Sequence, residues 1–207
     1  MTSIKIQHID MSTYASVQSF VKKITKELHR IDGFICNAGL MIDAWSQTEG
    51  METSMFVNNI STVFLGALMM PKLKEYANKF NTKPTLVFIV SVLEYIVKRT
   101  GVVITMVAPG LCTTGLGRDA RTFTKIMHEA VRAMMAQTAE VGSRTILHGL
   151  LLGEEGHGKL LSGCKIKESW VPTWLTNEEA QKLQKDIWNK LVSRLESVQP
   201  GYISQLK

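Results

Sequence analysis

Ile31-Asp32-Gly33-Phe34-Ile35-Cys36-Asn37-Ala38-Gly39 is a short apolar run that ends in one polar and two very small residues. That is the pattern of a buried strand opening into a tight loop at its carboxyl end. In an open parallel sheet, ligands bind outside the carboxyl ends of strands, and small residues there let backbone amides approach a ligand closely. Asn and Gly are also the ordinary residues of a strand-terminal turn. The surrounding segments decide between the two readings.

Toward the amino terminus, Ile4, Ile6 and Ile9 predict a short strand. Ser12 or Thr13 can then cap a helix whose apolar positions Val17, Phe20, Val21, Ile24 and Leu28 recur at helical spacing. Toward the carboxyl terminus, the polar stretch Asp43 to Gly50 reads as a loop. From Glu52 a long helix presents Met55, Phe56, Ile60, Val63, Phe64, Ala67 and Leu68 on a broad apolar face, before Pro71 kinks or breaks it. Thr85 to Val90 and Val102 to Val107 are continuous apolar runs, as expected of strands covered by helices on both faces. Between them Val92 to Arg99 reads as a short helical piece. Further on, helices are expected around Phe123 to Met135 and from Thr138, and a last strand within Lys159 to Ile166. Thr176-Asn177-Glu178-Glu179 has the form of a capping box, opening a helix with Leu183, Ile187, Leu191 and Leu195 at intervals of four. The alternation predicts an α/β fold with a right-handed, mostly parallel sheet. One domain over 1–207, with a carboxyl-terminal helix at 176–197, is the expected organisation.

Composition narrows the function. The 207 residues are 45% hydrophobic and 20% charged, ordinary for a globular chain, and the net charge of +6 is spread over helix faces. No basic run is interleaved with stacking aromatics, so nucleic acid is not an expected partner. Cys36, Cys112 and Cys164 are three in number and widely spaced, suggesting neither a disulfide framework nor a metal site. His157 stands between two glycines with no second ligand at metal-binding spacing. The amino terminus lacks the pattern of a signal peptide, and Val63 to Met70 is far shorter than the ~20 residues of a membrane span. A cytoplasmic protein with no metal and no membrane partner is expected.

Several motifs, taken together, resemble the short-chain dehydrogenase/reductase family. Cys36-Asn37-Ala38-Gly39 is similar to its Asn-Asn-Ala-Gly segment after the fourth strand, with Cys36 for the first Asn. Ile4 to Asp10 looks like its third strand ending in Asp, and Val57 to Thr62 like the helix carrying its structural Asn, here Asn58. Pro109-Gly110-Leu111-Cys112-Thr113-Thr114 is similar to the Pro-Gly loop after its sixth strand. The resemblance spans nearly the whole chain and is nearest to fungal members associated with secondary-metabolite clusters, where Gly156-His157-Gly158-Lys159 also fits. It implies a Rossmann-like three-layer sandwich with an incomplete, mostly parallel sheet, and an oxidoreductase using NADP or NAD on a carbonyl or hydroxyl of a small-molecule substrate, a small metabolite. Asp10 would lie near the adenine, Asn37 at the ribose, and Cys112 with Thr114 at the carboxamide. For each, a local role as a cap or a small buried residue is the alternative.

Two parts of the family's machinery have no counterpart. No strand, Gly-rich turn and helix stands ready to take the dinucleotide pyrophosphate. After Ile89-Val90-Ser91 the sequence runs directly into Val92-Leu93-Glu94-Tyr95-Ile96-Val97-Lys98, as though the turns bearing the catalytic Tyr were deleted. Ser91, Tyr95 and Lys98 are the candidate catalytic set, although Tyr95 and Lys98 are three residues apart and not the family's four, which rotates Lys98 by about 100° on a helix. A truncated, catalytically inactive family member, or a noncatalytic small-molecule-binding or partner protein, is the alternative reading. Two structural expectations follow. Ile4 to Ile9 should move over to pair in parallel with Ile31 to Cys36, and a shortened helix after Ser91 should leave the Met55 to Leu68 face uncovered. That face would then drive homo-oligomers or nonspecific association unless the carboxyl-terminal helix folds over it.

Overall fold

The computed structural model describes residues 3–42, 44–90, 101–116, 132–170 and 173–201. The expected helix at Val92 to Arg99 lies outside the described residues, as does that at Phe123 to Met135, apart from helical residues 132–135.

Five strands form the central sheet, in the order β1 (Gly33–Cys36), β4 (Thr85–Ile89), β5 (Val103–Val107), β8 (Leu160–Ser162) and β9 (Lys165–Ile166). The first four run parallel, and β9 folds back antiparallel on β8. Two short pairs stand apart from the sheet: β2 (Gln47–Thr48) with β3 (Met51–Glu52), and β6 (Cys112–Thr113) with β7 (Gln137–Thr138). The expected last strand is thus a hairpin. Gly163 and Cys164 at its tip both have positive φ, which a tight two-residue reversal requires.

Helix α1 (Tyr14–Glu27) begins at Thr13, whose hydroxyl accepts from the Ser16 amide, and buries Val17, Val21 and Ile24. Helix α2 (Thr53–Phe80) opens on Glu52, whose carboxylate accepts the Ser54 and Met55 amides and is held below its usual range by them. It passes through a π-helical segment at Phe56–Ser61 and continues through Pro71 to Phe80. Of the two outcomes expected at Pro71, a kink or a break, the helix does not take the break. The roughly 3 kcal/mol that an interior proline costs is outweighed by flanking positions that are buried, among them Met69, Met70 and Leu73. By length and composition this helix could cross a bilayer, but 67% of its apolar window is buried inside the protein.

Alternation along the strands sorts the core into two sides. Leu86, Phe88, Val102 and Ile104 join the side chains of α1 and α2, while Val87, Val107 and Leu161 join Ile146 and Leu150 of α3 (Ala139–Leu151). Helices on both faces of a mostly parallel sheet make the α/β sandwich that the sequence predicts.

Helix α4 (Glu178–Val198) starts one residue later than the capping box suggested. Asn177 is its cap, accepting from the Ala180 amide. Its carboxyl-terminal half closes the α1/α2 side: Leu195 is fully buried, with Leu191, Val192 and Val198 packed against the core. Arg194 donates to the Tyr14 hydroxyl at 2.8 Å and to the Glu49 carbonyl. The Tyr14 ring meets Phe56 and Phe64 edge-on at 5.0 and 5.3 Å, the favourable aromatic arrangement. Phe56, Phe64 and Leu68 are buried, so most of the apolar face expected to lie bare is covered within the chain, although Met55 stays exposed.

The expected strand at Ile4 to Ile9 does not form. Residues 3–10 have no regular structure, Ile4 and Ile6 are 92% and 94% exposed, and β1 pairs with β4 alone. Only Ile9 packs on the core. Six residues without a hairpin turn gain too little from alternation to fix their backbone.

Candidate functional site

The register of the sheet aligns Cys36 with Phe88 and Phe88 with Met106. Strands β1, β4 and β5 therefore end side by side, and the loops leaving them open along one sheet edge. This edge brings together the Asn37-Ala38-Gly39 loop, the exit of β4 toward Ser91, and the Pro109–Thr114 loop. In parallel sheets such an edge is where ligands bind.

The first loop is fixed by Asn58. Its side chain is exposed and lies on the π-helical segment of α2, where Oδ1 accepts from the Leu40 amide at 2.9 Å and Nδ2 donates to the Leu40 carbonyl at 2.8 Å. Both ends of the amide are thus spent on one backbone unit, and the Asn37 loop is pinned to the helix. Segments of π-helix often accompany functional sites because the widened turn redirects side chains. Asn37, Ala38 and Gly39 are themselves exposed.

The second loop is fixed by a residue for which the motifs gave no sign. Gln137, at the start of β7, donates its backbone N–H to the Leu111 carbonyl at 2.9 Å. Its side-chain Nε2 donates to the Pro109 carbonyl and lies 3.8 Å from the Cys112 sulfur. Gly110 turns under this amide with φ +82°, and a Cβ there would stand 3.1 Å from Gln137 Nε2. The Cys112 sulfur points into α3, since a Cβ on Gly142 would come within 2.3 Å of it. Only a sequence separation of 25 residues hides this arrangement. Thr138, beside Gln137, caps α3 as the sequence suggests.

Of the other candidates, Asp10 makes a local turn: its carboxylate accepts from the Ser12 amide at 2.8 Å, and its own amide donates to Ser16. Hydrogen bonds from Ser12 hold its carboxyl below the usual range. Thr114 is exposed, its hydroxyl accepting from the Leu116 amide at 3.3 Å and its carbonyl from Arg132. Ser91, Tyr95 and Lys98 lie outside the described residues. His157 is a loop residue whose Nδ1 accepts from the Ile104 amide at 3.2 Å. Among the described residues no cluster of His, Cys, Asp or Glu could hold a metal ion. Burial pushes the Cys36 thiol up to about 12.

The short chain dehydrogenase family model matches residues 1–93. A short chain dehydrogenase/reductase of Cryptosporiopsis sp., dmxR8, is 32% identical over 251 residues, covering 97% of this chain and 76% of its own length. This chain belongs to the short-chain dehydrogenase/reductase family. The short-chain dehydrogenase/reductase phmF of Phaeosphaeria nodorum is 26% identical, over 93% of this chain and 70% of that protein. Among solved structures, that of the KRED1-Pglu enzyme superposes with a TM-score of 0.48 at 13% identity, covering 73% of this chain and 77% of that one. Within the family, the order β1-β4-β5-β8 is what the resemblance implies for the fourth to seventh strands.

Proposed function

We propose that this protein is an oxidoreductase of fungal secondary metabolism, taking a nicotinamide dinucleotide at the carboxyl edge of β1, β4 and β5 and a small carbonyl or hydroxyl compound beside it. The observation that carries the reading is the pair of anchored loops on that edge. Asn58 fixes Asn37-Ala38-Gly39 and Gln137 fixes Pro109-Gly110, so both walls of the nicotinamide end are preorganised. Asn37 would bind the ribose, and the backbone of Cys112 to Thr114 the carboxamide. The bound dinucleotide would supply the hydride. The residues present fit this end of the cofactor, and the turn from Asp10 to Thr13 that opens α1, which contains no glycine and whose Ser12 amide is taken by the Asp10 carboxylate, is not itself a pyrophosphate cradle.

A second reading is favoured by one observation. The alignment with the Cryptosporiopsis protein runs over 251 residues, more than the 207 of this chain, so that relative carries internal residues with no counterpart here. This supports a noncatalytic family member that keeps a ligand pocket. Calorimetric titration with NADPH and NADH separates the two. The oxidoreductase reading requires binding tighter than ~100 μM, about 5.5 kcal/mol, and hydride turnover with some carbonyl substrate. Tight binding with no turnover across a substrate panel leaves the noncatalytic binder, and no resolvable heat from a folded protein defeats both.

A further inference from the structure

We infer that Gln137 is a positioning residue that latches the Pro109–Thr114 loop against α3, and that the shape of the nicotinamide end depends on this latch. Three contacts converge on it. Its backbone N–H holds the Leu111 carbonyl, its side-chain amide holds the Pro109 carbonyl, and the same nitrogen faces the Cys112 sulfur. Pairing of β6 with β7 puts Cys112 directly opposite Gln137, so the latch closes in register with the strand bridge. Thr138 then caps α3, which ties the loop rigidly to a helix packed on the sheet. The sulfur of Cys112 fills the slot left by the absent side chain of Gly142 and donates toward the Pro109 carbonyl at 3.7 Å. Opening the loop must draw that sulfur out of its slot. Cys112 therefore reports the state of the latch.

The test compares Gln137→Ala and Gln137→Glu with the wild type, using iodoacetamide and mass mapping of all three cysteines. Cys164, exposed on the β8–β9 turn, is the internal reference, and the buried Cys36 must stay unmodified if the variant is folded. The expected result is a rise in the Cys112-to-Cys164 labelling ratio of about two- to tenfold, the effect of losing one hydrogen bond. Glu has the size of Gln but cannot donate to a carbonyl when ionised, so Gln137→Glu must behave like Gln137→Ala. If Gln137→Glu keeps the wild-type ratio, or neither variant changes it, packing alone holds the loop and the inference fails. A second measurement rests on the proposed function: NADH and NADPH should each lose about two- to tenfold in affinity, while ADP-ribose, which lacks the nicotinamide, keeps its affinity. Unchanged affinity of the dinucleotides alongside freed Cys112 would overturn the positioning role. A wild type that binds neither dinucleotide, with Cys112 still freed by both variants, would remove the proposed function and leave the latch standing.

Discussion

On the side of the sheet that takes Leu86, Phe88 and Val102, the strands meet long interlocking side chains: Phe56, Phe64, Met69 and Leu73 of α2, with α1 and the end of α4 closing over them. On the other side only α3 is described, and it approaches through small residues. Gly149 lies so close that a Cβ would stand 2.5 Å from Val107, and Gly33 of β1 leaves the room that Leu150 occupies. Among the described residues few are buried there, and Val141, Leu147 and Leu151 are exposed. Close approach without bulk gives good contact over a small area, so among the described residues the α3 side is the more thinly packed of the two. The Pro109–Thr114 loop is tied to that side through Gln137 and the β6–β7 pair.

The largest expected effect tests the thick side. Phe64→Ala should cost about 3–5 kcal/mol, as for deletion of a fully buried ring, against a total of about 5–15 kcal/mol for an ordinary domain. Urea denaturation followed by circular dichroism measures it, and a loss below about 1 kcal/mol would mean the aromatic cluster is loosely packed. The next effect sets one side against the other by the same chemical change. Gly149→Ala and Gly66→Ala would each place a Cβ 2.5 Å from a side-chain carbon, Val107 in one case and Phe88 in the other. Val107 is fully buried and branched, with no room to turn, whereas Phe88 is only partly buried and offers the far end of its ring. Gly149→Ala should therefore cost about 1–3 kcal/mol from overpacking. Both glycines lie inside helices, so each substitution also gains about 1 kcal/mol in helix propensity, and Gly66→Ala should cost less only because the end of the Phe88 ring can shift. Equal losses would show that the two sides yield alike.

A pH effect belongs to the thick side alone. Cys36 lies under α1 and α2, and burial raises its thiol from 9.0 to about 12. A group whose folded value is raised contributes stability that is fully present below the unfolded value and is lost as pH climbs through the folded one. Stability should thus fall between about pH 9 and 12, by on the order of 1 kcal/mol at pH 10 from this thiol. Cys36→Ala should remove that part of the slope between pH 8 and 10, and an unchanged slope would place the thiol in contact with water.

Much of this architecture was legible because it rests on local periodicity. The runs Thr85 to Val90 and Val102 to Val107, the Thr13 and Thr138 caps, and the stripe on α4 each announce their element within a few residues. The loops at Asn37 and Pro109 were legible as motifs, and the register does bring them to one edge. What sequence could not show depends on distant partners. Ile4 to Ile9 has the alternation of a strand, but pairing needs a neighbour that repays the ordering of the chain. Pro71 reads as a kink or a break until the burial around it is known. Gln137 carries no motif, since its meaning lies entirely in the Pro109 carbonyl that folding brings to it.

The smallest expected effect sharpens the comparison most, because the perturbation is nearly identical on both sides. Thr13 caps α1 by accepting from the Ser16 amide at 3.2 Å, and Thr138 caps α3 by accepting from the Val141 amide at the same distance. Replacing either by Ala should cost about 1 kcal/mol of helix stability. The consequences should differ in extent. Helix α1 buries Val17, Val21 and Ile24 in the large core, so its loss is shared by everything packed there, and Thr13→Ala should lower hydrogen-exchange protection in α1, α2 and α4 together. The described core around helix α3 is small, so α3 should open by itself. Thr138→Ala should lower protection in α3 and in β6–β7, with β4 and α2 unchanged, and should raise Cys112 labelling because Gln137 precedes the lost cap. If Thr138→Ala instead weakens α1 and α2 as much as α3, the two sides unfold as one unit, and the loop at Pro109 is no more adjustable than the rest of the sheet.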